Sequence, residues 1–161
     1  MALPASAIAV RRAQSADRPS LADMLRAFSA YLEAIEPGES FASKAEELVD
    51  LSLGPDPVCR TLIAEGGGEA LGYVAFHAGV WETYKAIYVV SLFVRPEARG
   101  RGVGRSLMET VRQLGKEMGA GRIVWFVWKR NEAATAFYKN LGARIFDGDH
   151  LMAWTVEPEP G

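Results

Sequence analysis

Cysteine and histidine are almost missing from this chain of 161 residues: Cys59 is the single cysteine, and His77 and His150 are the two histidines. One cysteine excludes an internal disulfide and a cysteine-rich zinc site, and two distant histidines give no basis for a histidine-rich metal centre. An excess of positive charge is also missing. Eighteen Lys and Arg stand against 20 Asp and Glu, a net charge of −2, so the basic stripe of a general nucleic-acid binder is absent. No apolar run approaches the roughly 20 residues needed to span a bilayer. Residues 1–10 are broken by Pro4 and Ser6 and lack a preceding cationic region, so they do not read as a signal peptide. There is no internal repeat. These absences lead us to expect a cytoplasmic protein with no metal, no membrane and no nucleic-acid partner.

Hydrophobic residues make up 49% of the chain, enough for one good core. We expect one domain over residues 1–156 and a disordered acidic tail over 157–161. A first strand is expected at 8–13, then a helix to about Ile35 with Leu21, Met24, Leu25, Phe28 and Leu32 at helical spacing. Pro37 and Gly38 break it. A second helix holds Ala45, Leu48 and Val49, with Ser43 and Glu46 as a capping box. Strands follow at 58–64 and 70–77 about a Gly66-Gly67-Gly68 reversal, then a looser stretch at 80–84. The apolar run 87–94 reads as a strand buried on both faces. A helix over 103–118, a strand over 122–128, a helix capped by Asn131 and ended by Gly142, and two short strands at 143–146 and 151–156 complete the chain. The class is α/β (α+β): a mixed, mostly antiparallel sheet of six to seven strands flanked by about four helices.

Between the apolar strand and the next helix lies Arg99-Gly100-Arg101-Gly102-Val103-Gly104-Arg105. Glycines let the backbone turn sharply and approach a ligand closely. Free N–H groups at the helix start, with the helix dipole, make an anion site suited to a pyrophosphate. A P-loop needs Lys and Ser/Thr after its last glycine, and here Arg105 follows Gly104. The dinucleotide fingerprint needs a third glycine at a spacing this loop lacks, and an acidic residue about 20 positions on, where the chain has Gly119 to Ile123. By itself the segment is also consistent with a glycine-rich turn carrying solvated arginines.

Arg99-x-x-Gly102-x-Gly104 resembles the acetyl-CoA pyrophosphate motif of GNAT acetyltransferases. Ser91-Leu92-Phe93-Val94-Arg95-Pro96 resembles that family's fourth strand, and Asn131-Glu132-Ala133-Ala134 with Phe137-Tyr138-Lys139-Asn140-Leu141-Gly142-Ala143 its second conserved motif. Within the family, Trp81 before Ile87-Tyr88 and Phe137-Tyr138-Lys139 resemble the diamine and spermidine/spermine branch. The resemblance covers residues 81–154. It implies a sheet splayed between the fourth and fifth strands, acetyl-CoA as co-substrate, and a homodimer. It implies that Leu92, Phe93 and Val94 pair with the pantetheine arm. Residues Gly100 to Arg105, with Arg99, would hold the pyrophosphate, and Asn131, Ala134 and Phe137 would line the far side of the arm. Tyr138 would be the general acid on the leaving sulfur, and the N–H near Val94 the oxyanion donor. The implied reaction is direct attack of a primary amine, from a diamine, polyamine or amino-acid-like molecule, on the thioester. A protein or peptide acceptor and a non-catalytic acyl-CoA-binding module are the competing readings.

One departure matters. The polyamine branch carries Glu-Asp where this chain has Val90 and Ser91, so the resemblance supplies no base. By chemistry alone Glu33, Glu36, Glu82, Tyr84, His77 and His150 are candidates, although each also reads as a solvated surface group. For the acceptor, the stretch 33–39 with Glu33, Glu36 and Glu39, together with Asp147 and Asp149, offers carboxylates. Trp81, Tyr84, Trp125, Trp128 and Trp154 offer aromatic walls.

Overall fold

The structure is a computed structural model that describes residues 7–38, 40–153 and 155–156. The tail 157–161, Glu39 and Trp154 therefore lie outside the described residues. Five strands form one sheet in the order β1-β2-β3-β4-β5: Ala9–Arg12, Arg60–Gly66, Glu69–Trp81, Tyr84–Val94 and Arg122–Val124. The first four pair antiparallel, and β5 joins β4 in parallel. Four α-helices cover it: α1 Arg18–Ile35, α2 Ala45–Leu53, α3 Val103–Glu117 and α4 Glu132–Asn140.

Alternation along the strands divides the core in two, because successive side chains point to opposite faces. Ile63, Tyr73, Ala75 and Phe93 face α1 and α2 and pack on Leu21, Met24, Leu25 and Val49. Leu62, Ala64, Val74, Phe76 and Ile87 face α3 and pack on Val103, Leu107, Met108 and Val111. Ser29 is a buried polar residue on α1. Its Oγ accepts from the Phe41 N–H at 2.9 Å, tying the α1–α2 connection back onto the helix. Among the described residues no helix is long and apolar enough to cross a membrane.

Gly67 and Gly68 both take positive φ, 62° and 81°, which suits the two-residue turn between β2 and β3. The expected loose stretch at 80–84 is instead the tip of a long β3–β4 hairpin, with Trp81 opposite Tyr84. Neither Ser43 nor Glu46 forms a capping box, since Ala42–Lys44 is a 3₁₀ turn leading into α2.

Among the described residues the strand count is five, not six to seven. Among the described residues no strand forms at 143–146 or 151–156, and β5 stops at Val124 rather than Trp128. A three-residue edge strand offers few ladder bonds to a further strand. Arg144 instead lies over the Phe146 ring at 4.8 Å, and Phe146 meets Trp81 edge-to-face at 5.2 Å. Aromatic contacts there replace a hydrogen-bonded ladder.

Candidate functional site

The sheet opens where β4 and β5 part. Pairing between them spans Ala86–Tyr88 and Arg122–Val124, so among the described residues the β4 edge beyond Tyr88 has no strand beside it. At the same place β4 carries an extra residue. Ala75 pairs with Ser91 and Phe76 with Val89, which leaves Val90 unpaired in a bulge. The consequence is a continuous cleft of about 920 Å³, within the ordinary range for ligand sites.

One end of the cleft is the glycine loop. Gly100 and Gly102 have φ of 75° and 81°, and a Cβ on either would meet nothing within 4 Å, so this backbone borders open space. Gly102 is the N-cap of α3, and the helical ladder begins with Ser106 N–H donating to its carbonyl. The N–H groups of Val103, Gly104 and Arg105 therefore have no partner within the helix. Gly104 serves differently: a Cβ there would sit 3.0 Å from the Phe137 ring, so glycine lets α3 approach α4 closely. An anion with an extended arm fits this arrangement, the anion at the loop and the arm along the open β4 edge.

The middle of the cleft is where α4 meets α1. The Asn131 side chain caps α4, accepting from Ala134 N–H at 3.2 Å, and also accepts from the Tyr31 hydroxyl at 2.9 Å. Arg99 lies over the Tyr31 ring at 5.0 Å and the Phe93 ring at 5.7 Å, and its Nε donates to the Val94 carbonyl. Tyr138 packs against Trp125 with centroids 4.9 Å apart. Burial, with Tyr31 nearby, pushes its phenol up to about 12, so it stays protonated at neutral pH.

The other end lies between the sheet and α1 and α2. Phe28, Leu32, Phe41, Leu48 and Leu51 form one wall, and Thr61, Tyr73, Ala75 and Ser91 the other. Thr61, Ala75 and Ser91 stand side by side across three strands. Ser91 Oγ donates to the Tyr73 hydroxyl at 3.1 Å.

Leu92, Phe93, Val94, Arg99, Gly100, Gly102, Val103, Gly104, Arg105, Asn131, Ala134, Phe137 and Tyr138 all line this one cleft, as do Trp125 and Trp128. Arg101 is exposed beside it. Glu33, Trp81, Glu82 and Tyr84 are not brought to it. Glu33 is on the solvent side of α1. Trp81, Glu82 and Tyr84 are carried away by the length of the hairpin, with Arg122 stacked over Tyr84 at 4.6 Å. His77 stacks on Tyr88, and Glu36, Asp147, Asp149 and His150 are exposed, all outside the lining. Tyr31 escaped the sequence reading although its place three residues after Phe28 puts both on one helical face. Ser91, Tyr73 and Thr61 meet only through strand register.

The model of a family described as acetyltransferase (GNAT) matches residues 21–143. Thialysine N-epsilon-acetyltransferase of Sus scrofa is 26% identical over 149 residues, 86% of this chain and 85% of the relative. An uncharacterized N-acetyltransferase of Archaeoglobus fulgidus is 31% identical over 138 residues, 80% of this chain and 90% of the relative. Among solved structures, AAC(6')-Iy in complex with the bisubstrate analogue CoA-S-monomethyl-acetylneamine superposes with a TM-score of 0.70. It is 16% identical, and the match covers 95% of this chain and all of that one.

Proposed function

The chain belongs to the acetyltransferase (GNAT) family and is an N-acetyltransferase; from that premise we propose that it moves the acetyl group of acetyl-CoA to the primary amine of a small molecule by direct attack. The observation that carries this reading is the continuity of the cleft, which joins the glycine-loop anion site, Tyr138 and the apolar chamber under α1 and α2.

Direct attack makes three demands: a neutral amine, a donor for the tetrahedral oxyanion, and a proton for the departing sulfur. The open edge of β4 at Leu92 to Val94 is suited to align the pantetheine arm as an added strand, with the N–H near Val94 as oxyanion donor. The N–H groups opening α3, with Arg99, Arg101 and Arg105, suit the pyrophosphate. Tyr138, kept protonated by burial, is the general acid. The same burial disfavours a free thiolate beside it, so proton transfer from phenol to sulfur stays nearer balance than in water. The reading extends to a homodimer, as the resemblance implies, and to the cytoplasm, as the sequence leads us to expect.

The test is thiol release from acetyl-CoA with a panel of amines, amino acids and peptides, with the acetylated product confirmed by mass. CoA binding without turnover of any amine would sink the enzymatic reading in favour of a binding module. Turnover confined to peptides would replace the small-molecule acceptor.

A further inference from the structure

Among the described residues, the chamber under α1 and α2 presents no carboxylate or imidazole to an acceptor. Among the described residues lining the cleft there is no Asp, Glu or His. Its titratable groups, taken element by element, are Tyr31 from α1, Cys59 ahead of β2, Tyr73 from β3 and Tyr138 from α4, with the permanent cations Arg99 and Arg105 toward the loop. Burial raises Cys59, Tyr73 and Tyr138 above their ordinary values, so all three remain protonated donors. The Cys59 thiol points at the Leu51 carbonyl, 3.4 Å away, and the Tyr73 hydroxyl is engaged by Ser91. Val90, at the bulge, brings only methyl groups into the cleft.

Two consequences follow. A second ammonium group on the acceptor would enter a chamber of aromatic, aliphatic and hydroxyl walls whose described residues offer no carboxylate, with a cation, Arg99, at its mouth. An unpaired charge in such a place is strongly disfavoured. An amine as basic as a lysine side chain also arrives almost wholly protonated, with roughly one molecule in 2,500 neutral at pH 7. The described residues of the cleft carry no carboxylate or imidazole to improve that fraction.

Resting on the acetyltransferase reading, we propose that the acceptor is a weakly basic single amine on an apolar body, which reacts as the free base it brings from solution. Its nitrogen lone pair attacks the thioester carbonyl and forms the C–N bond. The nitrogen of the tetrahedral intermediate releases its extra proton to water. The C–S bond then breaks as the sulfur takes the Tyr138 proton, water reprotonates Tyr138, and amide and free thiol leave. The apolar chamber selects the body, and the acceptor's own pKa sets the pH dependence. Diamines and polyamines are disfavoured by the chemistry of the walls.

Four amines test this in thiol-release assays between pH 6.5 and 9.5. Phenylalaninamide and 2-phenylethylamine share an aromatic body but differ in basicity by about the gap between an α-amino group and a lysine, roughly 2.5 pH units. We expect kcat/KM at pH 7 to favour phenylalaninamide on the order of a hundredfold. Its pH profile should break near its own pKa, while that of 2-phenylethylamine is still rising at the top of the range. Hexylamine should exceed 1,6-diaminohexane by about tenfold or more. Glu39→Gln removes a carboxylate that the sequence offers for the acceptor, and a variant that lost the diamine rate or shifted the pH profiles would overturn the inference. Val90→Glu, at the half-exposed bulge, should add a base and raise the 2-phenylethylamine rate at pH 7 by at least about tenfold, with a smaller gain for phenylalaninamide. A break at one shared pH for both aromatic amines, or a preference for the diamine, would overturn the inference and leave the acetyltransferase reading standing. Failure of all four amines, in protein that binds CoA, would overturn both.

Discussion

Replacing Gly102 by Asp should weaken CoA binding through charge, and the size of the effect can be worked from the loop. Gly102 is the N-cap of α3 at φ 81°, with open space where a Cβ would point. Two penalties arise. A non-glycine residue in the left-handed region costs roughly 1 kcal/mol, least for Asn and Asp, and this falls on the fold. A carboxylate beside a bound pyrophosphate adds repulsion. Unit charges about 6 Å apart interact by roughly 0.7 kcal/mol in water and about 3 kcal/mol at a protein surface. The expected loss is therefore about 1–3 kcal/mol, or on the order of 5- to 150-fold in Kd. Gly102→Asn separates the two, since it shares the backbone cost and nearly the same volume but carries no charge. Calorimetric titration of CoA into both variants, at low ionic strength and in about 0.5 M salt, is the assay. Asp should bind at least about fivefold more weakly than Asn, and the ratio should contract in salt as screening shortens the interaction. Equal affinities for the two variants, or a ratio indifferent to salt, would refute the placement of the anion at the start of α3.

Three further outcomes are expected. Tyr138→Phe should lower kcat by about a hundredfold or more while CoA affinity, measured by titration, stays within about twofold; an unchanged kcat removes Tyr138 from the chemistry. Gly104→Ala puts a Cβ 3.0 Å from the Phe137 ring and should destabilise the fold by about 1–3 kcal/mol in urea melts. Combining it with Phe137→Leu should recover part of that loss, and strictly additive losses would deny the contact. Asp17 is held below the usual carboxylate range by its paired hydrogen bonds to Arg11, so its contribution is present above the unfolded value and is lost as pH falls through the folded one. Asp17→Asn should cost about 1–2 kcal/mol at pH 7, and its gap from wild type should shrink below about pH 4; a gap constant from pH 7 to pH 3 refutes the linkage.

Much of the glycine-loop half of the cleft was legible in the chain because it is local. Arg99 to Arg105, the strand before it and the helix after it are contiguous, and two glycines in left-handed conformations make the turn the motif requires. Asn131 reads as a cap because a helical pattern follows it, and the structure has its side chain accepting from Ala134 N–H. Less was legible where the result depended on which edge a strand would find. Apolar residues at 143–146 and 151–156 have the composition of strands, yet β5 ends at Val124 and gives them little to pair with. Trp81, Glu82 and Tyr84 looked available for an acceptor until the register of β3 on β4 carried them to a hairpin tip.

What the sequence by itself determined is the fold class, the order of its main helices and sheet strands, and the family, since these follow from periodicity and from motifs whose residues are neighbours along the chain. What only the tertiary structure decided is the character of the chamber under α1 and α2. Phe28, Phe41, Leu51, Thr61, Tyr73 and Ser91 come from six separate stretches, and strand register with helix packing brings them to one cleft. Whether a charged side chain lies inside or outside such a chamber is set by that packing. In this fold Glu33 and Glu36 near the end of α1 and Glu82 in the hairpin turn fall outside, and hydroxyl and hydrocarbon groups make up most of the described walls.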